Sequence, residues 1–251
     1  MSKPYSILAV GAHMDDCWLG MGGVALRAVR AGHKVTMVTA CGSYEWYWPV
    51  AGREAEVIPA VQRIAERAGM RHIQLKHHYM RLQNTPELVD QIAQIVFETK
   101  PEIVFCHAED ESNQDHTALG AATRIAAIHG ECFVKPSRGE FGYVSEVYQY
   151  TTGWQATNFQ PDTYSDYTDV AFDVFEICNH FDDIYAKKFE SPDAERSMIV
   201  TDKVCDNRKV ALNSHARFKF AQSLVNGKGT YAEAFKSYTR LPLQYRRLAK
   251  I

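Results

Sequence analysis

The amino-acid sequence predicts an α/β fold built on a mostly parallel, doubly wound sheet with helices on both faces. Three observations lead there: short β-rich runs alternate with helical patterns through the first half of the chain, glycines at 32 and 69 close two of the helical runs, and polar clusters follow the first and fourth strand runs directly. With 251 residues, 46% of them hydrophobic, the chain can bury a large core. The expectation is a single domain over residues 1–251, with a C-terminal extension beyond the sheet-forming half.

The elements follow in order. Residues 5–10 read as the first strand and 18–31 as the helix behind it, which Gly32 ends. Residues 34–39 form the second strand. A loop rich in glycine and aromatics follows, then a helix over 54–68 whose Val57, Ala60, Val61, Ile64 and Ala65 share one face. A short third strand is placed at 72–75, and a helix at 86–98 with Pro86 suited to its first turn. Residues 103–106 are the fourth strand and 116–128 the next helix. Beyond about residue 140 the pattern loosens. Helices are expected over 171–187 and 207–225, separated by a polar stretch at 190–206 that reads as a loop or lid. No repeat or low-complexity linker divides the chain.

Charge and composition exclude some partners. Lysine and arginine number 28 against 30 acidic side chains, so nothing global draws the chain to nucleic acid or to an anionic membrane. The apolar stretch before His13 is too short for a signal peptide or a membrane span. The expectation is a cytoplasmic protein acting on a small molecule, with enough aromatic surface in its second half for a homo-oligomer. Six cysteines, at 17, 41, 106, 132, 178 and 205, make no CxxC pair and are expected to stay reduced, most of them in the core.

Two loops carry the chemistry. Gly11-Ala12-His13-Met14-Asp15-Asp16 follows strand one, and Glu111-Ser112-Asn113-Gln114-Asp115-His116 follows strand four. In a sheet of order 3-2-1-4 these strands are neighbours across the switch point, where open α/β sheets bind ligands, so the loops meet. His13, Asp16 and His116 then form a two-histidine, one-carboxylate set suited to zinc or another divalent transition metal, with a position left for water. Asp15 is left to face that water as a general base. The plainer alternative makes one aspartate a cap of the first helix and His116 an ordinary first-turn histidine. His77 and His78 read as rim residues; His107 is a neighbour of the site or a satisfied core histidine, and no spacing rule ties His215 to the crevice. Tyr44-Glu45-Trp46-Tyr47-Trp48 follows strand two on the crevice side; Trp46 and Trp48 there either stack on substrate or belong to a packed Ω-loop or subunit contact.

The two boxes resemble those of the PIG-L/LmbE-like de-N-acetylase family, which includes N-acetylglucosaminyl-phosphatidylinositol, mycothiol-pathway and bacillithiol-pathway deacetylases. That family carries AHPDDE after strand one and an HPDH-like box after strand four. Here Ala12-His13-Met14-Asp15-Asp16-Cys17 and Asn113-Gln114-Asp115-His116 stand in those places. Gly20, Gly22 and Gly23, the segment Arg53-Glu54-Ala55-Glu56 and the segment Tyr231-Ala232-Glu233-Ala234-Phe235 are also similar to family features. The resemblance implies a Rossmann-like hydrolase with one zinc ion per chain on His13, Asp16 and His116, Asp15 as base, and Arg53 as a clamp for substrate hydroxyls or phosphate. The implied reaction removes an acyl group, in the first instance acetyl, from the nitrogen of an N-acetylated amino sugar. A larger thiol conjugate or antibiotic precursor is the alternative substrate, and a non-catalytic metal- or carbohydrate-binding relative the alternative role.

The sequence departs from the family in three places. Met14 replaces the usual proline. Cys17 replaces the usual glutamate and offers a thiolate that competes for the metal. Asn113 stands where many members have a histidine; its amide can donate to an oxyanion but is no general acid. The expected proton route is therefore through Asp15 to the amine. Asp115 is expected to orient a neighbouring side chain or cap the helix beginning at 116.

Overall fold

The apolar runs of the first half become strands covered on both faces. The computed structural model describes residues 3–135, 138–152, 158–186, 215, 219, 224–225 and 230–238. Through the first half the elements are β1 (Ser6–Gly11), α1 (Asp16–Arg30), β2 (Lys34–Ser43), α2 (Glu54–Arg67), β3 (Arg71–His78), α3 (Pro86–Thr99), β4 (Ile103–His107) and α4 (Gln114–His129). After these come β5 (Glu146–Tyr150), β6 (Thr163–Asp166), α5 (Ala171–Ala186), β7 (Leu224–Val225) and β8 (Thr230–Ser237). The sheet order is β3-β2-β1-β4-β5-β8-β6, with β7 paired to β8. Strands β3 through β5 along this path pair in parallel; β8 pairs antiparallel with β5 and β6. All of β4 and β5 is buried, as a parallel strand between helical layers requires. One helical group packs α5 against α1 and α2, and another packs α3 against α4.

The expected order 3-2-1-4 and each element of the first half are present, with shifted ends. β2 runs on through Gly42 to Ser43, and β3 correspondingly to His78, because pairing continues across two register irregularities. Glycine permits the extension: a Cβ on Gly42 would lie 2.3 Å from the Leu75 carbonyl oxygen. The helix expected from 116 begins at Gln114, and its N-cap is Asn113, whose side-chain oxygen accepts from the Asp115 amide at 2.9 Å. Asp115 is therefore not the cap. The 171–187 helix is present as α5. The expected lid at 190–206 lies outside the described residues, as does most of the expected 207–225 helix; His215 and Lys219 are helical, whereas Leu224–Val225 is a strand.

The C-terminal segment repairs a break in α1. Met21 leaves helical geometry (φ −145°, ψ 21°), which frees backbone groups on either side. The buried Glu233 carboxylate on β8 accepts from the amides of Gly23 and Val24, both at 2.8 Å. Lys219 Nζ donates to Leu19 O at 2.7 Å and to Glu233. Tyr231 and Phe235, two residues to either side of Glu233, fill the core below.

Helix α1 also needs close approach to β5. A Cβ on Gly20 would fall 2.1 Å from the Tyr150 ring, whose hydroxyl donates to Val10 O on β1 at 2.9 Å. Both partners are buried and Tyr150 is tethered at its far end, so the ring has no free path of retreat. Gly20→Ala is expected to destabilise the fold by about 1–3 kcal/mol. Urea unfolding followed by circular dichroism checks it; a midpoint equal to that of the parent protein would show the packing to be looser than described.

Candidate active site

Strand β1 ends at Gly11 and the chain turns through Ala12 to Asp15 into α1, while β4 ends at His107 and leads through 108–113 into α4. Because β1 pairs with β4, the two loops lie side by side. His13 Nδ1 lies 3.0 Å from His116 Nε2 and 3.4 Å from Asp16 Oδ2, and His116 Nε2 lies 3.3 Å from Asp16 Oδ2. Tetrahedral nitrogen and oxygen ligands at about 2.0–2.1 Å from a zinc ion sit about 3.3–3.4 Å from one another. These three atoms therefore fit one divalent cation.

The outer hydrogen bonds orient the inner lone pairs. His13 Nε2 is 3.0 Å from Asp115 Oδ2, and His116 Nδ1 is bonded to Glu111. Each imidazole thus has its proton-bearing nitrogen facing a carboxylate, and its other nitrogen turned to the shared point. Asp115 is itself fixed by the amides of Met80 (2.6 Å) and Leu82 (3.0 Å). Met80 holds an uncommon left-handed conformation (φ 58°), so a strained turn after β3 is tied to the carboxylate that aims His13. The His107 ring stacks on His116 with centroids 3.9 Å apart, and its Nε2 accepts from the Ala12 amide at 3.1 Å. His107 thereby braces His116 from behind.

The electrostatics favour a cation at the same point. Burial opposes charge on His13, but Asp16 and hydrogen bonds to Asp115 and Asp16 outweigh it and hold its pKa well above the ordinary histidine range. Burial likewise opposes charge on His116, while Asp16 and Glu111 push it up to about 9. Against the same burial, His116, His107 and His13 hold Asp16 well below the usual carboxylate range, and His107 and His116 bring Glu111 down to about 2. Buried carboxylates here demand positive charge, which a proton or a metal ion can supply.

Among the described residues, two other groups of ligand type are close enough for a metal: His13, Cys41 and Asp115, and His107, Glu111 and His116. Both are poorer candidates. Burial raises the Cys41 thiol and keeps it protonated, and Asp115 already accepts from two amides. His13 and Asp16, two of the three favoured ligands, line a cavity of about 670 Å³, whereas His116, Cys41, Asp115, His107 and Glu111 do not. Cys17, expected to compete for the metal, is instead turned away: its sulfur lies 3.9 Å from Val38 O and 3.8 Å from the Tyr150 hydroxyl, and burial raises its pKa strongly. The cysteine beside the ligands is Cys41, on the extension of β2.

Asp15 occupies the N-cap of α1 but makes no capping hydrogen bond with its side chain. Its carboxylate lies at the cavity wall, 3.0 Å from His215 Nε2. Asn113 also lines the cavity; with Oδ1 taken by the Asp115 amide, its NH2 is left as a donor. The expected substrate contacts are placed differently. Trp46 and Trp48 are 69% and 60% exposed and lie outside the cavity lining, and Arg53 is engaged by Glu56 and by the carbonyls of Pro49 and Ile184. The aromatic wall is made by tyrosines the sequence did not single out. From His13 it runs through Tyr79 (4.9 Å between centroids), Tyr47 (4.9 Å) and Tyr185 (6.1 Å) to His215 (5.4 Å). His77 and His78 pair with Gln91 and Glu45 away from the ligands, as rim residues.

Comparison with known proteins agrees with the fold, and less than half of the chain matches one family model. No curated protein matches the sequence. Among solved structures, the conserved protein TT1542 from Thermus thermophilus is 23% identical, with 97% of this chain and 99% of that one covered at a TM-score of 0.69. An N,N'-diacetylchitobiose deacetylase from Pyrococcus horikoshii is 16% identical (94% and 86% covered, TM-score 0.67). The 4-carboxy-2-hydroxymuconate hydratase of Pseudomonas putida is 15% identical (95% and 98% covered, TM-score 0.67). The model of the PIG-L family, GlcNAc-PI de-N-acetylase, matches residues 8–127, a span that contains both boxes.

Proposed function

We propose that the protein is a metal-dependent de-N-acetylase that frees the amine of an N-acetylated amino sugar. The observation that carries this is the convergence of His13 Nδ1, Asp16 Oδ2 and His116 Nε2 within 3.4 Å of one another, with His13, Asp16 and Asp15, whose side chain makes no capping bond, lining a cavity. A zinc-type cation held by these three residues would supply a Lewis acid and a water of lowered pKa, and one such ion per chain is the expected complement. The remaining work belongs to side chains. Asp15 takes the proton of the attacking water. The Asn113 NH2 donates to the oxyanion that forms as the carbonyl carbon becomes tetrahedral.

The cavity wall suits a sugar. Tyr79, Tyr47 and Tyr185 offer ring faces and edges on which the apolar side of a pyranose can lie. The hydroxyls of Tyr44 and Thr152 are buried, have no hydrogen-bond partner among the described residues, and belong to residues that line the cavity.

Two experiments test this reading. Metal analysis of the purified protein should find one divalent ion per chain, lost in His116→Ala and kept in Asp15→Asn. The Asp15→Asn variant should release acetate from N-acetylglucosamine about 10²–10⁴-fold more slowly. A metal-loaded Asp15→Asn at the parental rate removes Asp15 from the chemistry, and a chain that binds no divalent ion sinks the proposal. The tyrosine wall predicts a different pattern: Tyr47→Ala should raise KM by roughly 2–10-fold, while Trp46→Ala and Trp48→Ala leave it unchanged. Steady-state kinetics on the three variants decides between these walls.

A further inference from the structure

We propose that His215, held by Asp182, is the acid that protonates the departing amine, the role that an asparagine at position 113 cannot fill. This rests on the deacetylase reading above. His215 lies outside the span matched by the family model and comes from the C-terminal part of the chain, yet it lines the cavity. Its Nδ1 is 2.7 Å from Asp182 Oδ1, and its backbone amide donates to Asp182 Oδ2 at 2.9 Å. Both oxygens of a buried carboxylate on α5 therefore fix one face of the residue. Its Nε2, one-fifth of the side chain being exposed, points at the cavity and lies 3.0 Å from Asp15 Oδ2. An anchor for the C-terminal segment needs only the Asp182 contacts. The second nitrogen, set against the base, is what a proton donor needs.

Among the described residues, the ionisable groups facing His215 are Asp15 from the start of α1, and Asp182 and Tyr185 from α5. Burial opposes its charge, but the hydrogen bonds to Asp15 and Asp182 raise its pKa to about 10, so the acid is loaded at neutral pH. The proton count closes. Asp15 takes one proton from water as the hydroxide oxygen bonds to the carbonyl carbon. The C–N bond then breaks, its electron pair staying on nitrogen, which takes the proton from His215 Nε2, and the carbonyl reforms as a carboxylic acid. Neutralising Asp15 has meanwhile removed one of the two charges that held the His215 proton. Transfer from Asp15 to His215 across their 3.0 Å hydrogen bond restores both groups, and the product acid ionises into solvent.

The test compares two N-acetyl substrates on the zinc-loaded full-length protein: N-acetylglucosamine, whose alkyl amine must be protonated to leave, and 4-nitroacetanilide, whose amine leaves far more readily. His215→Gln is expected to lower kcat on the sugar by about 10²–10⁴-fold with KM little changed, and to lower it less than about 10-fold on the anilide. Asp182→Asn should show the same split in weaker form, and added imidazole should partly restore His215→Ala. As a readout apart from turnover, the imidazole C2–H resonance that disappears in His215→Gln should titrate well above the ordinary histidine range, with its midpoint at about 10, in the parent and lower in Asp182→Asn. Equal losses on both substrates, or a parental rate in His215→Gln, overturn the role and leave Asp15 carrying the proton both ways. A zinc-loaded parent that hydrolyses neither substrate overturns the deacetylase reading, and the role with it.

Discussion

The pairing of β1 between β2 and β4 is the constraint on which the site depends. Parallel register sets Ile7 beside Ile103 and Ala9 beside Phe105, so the carboxyl ends of both strands stop at the same level. From there His13 and Asp16 come off one strand and His116 off the first turn of the helix that follows the other. A slip of this pairing would carry the ligand atoms apart by a strand residue's rise, about 3.3 Å, as large as the separations that define the site. The burial of β4 and β5, the glycine contacts of α1 and the C-terminal repair at Met21 all serve to keep that register and the start of α1 fixed.

Charge is the second constraint. Asp16, Glu111 and Asp115 are buried within a few ångströms of one another, which is costly unless positive charge is close by. The three imidazoles answer it in an ordered way. His13 and His116 each bind a carboxylate on the outside and turn the other nitrogen inward, while His107 stacks behind. Losing an outer carboxylate would therefore do more than remove a hydrogen bond: it would free the ring to turn and present the wrong nitrogen.

Much of this was legible in the sequence because it is local. Strand–loop–helix periodicity gives the element order, and two boxes next to strand ends give the residues that converge at the cavity, His13, Asp15, Asp16 and His116. What escaped has a common physical character: it depends on where distant segments meet. Tyr79 and Met80 enter the site because β2 and β3 pair further than their apolar runs suggest. Tyr44 and Tyr47 face the cavity while Trp46 and Trp48 face solvent because the chain turns at this point, with the amide of Tyr47 bonded to Tyr44 O at 2.8 Å. A turn puts residues three apart on one side, whereas counting aromatics in a loop treats all alike. Asn113 as cap was missed by two residues of helix boundary, the least certain part of any sequence reading.

The neighbours in fold make the division of labour plain. A deacetylase and a hydratase share this architecture, so the fold alone does not name the reaction. Other groups reach the cavity from elsewhere: the tyrosine wall from the β2 and β3 ends and α5, and His215 from the C-terminal part. The family boxes sit within the first 127 residues, where the register fixes them. The donor that those boxes lack at position 113 can come from any segment able to set an imidazole against Asp15, and Asp182 on α5 is placed to hold one there. On the proposed reading, proton delivery falls to a part of the chain outside the matched span, while the wall that would meet substrate is shared between strand ends and α5.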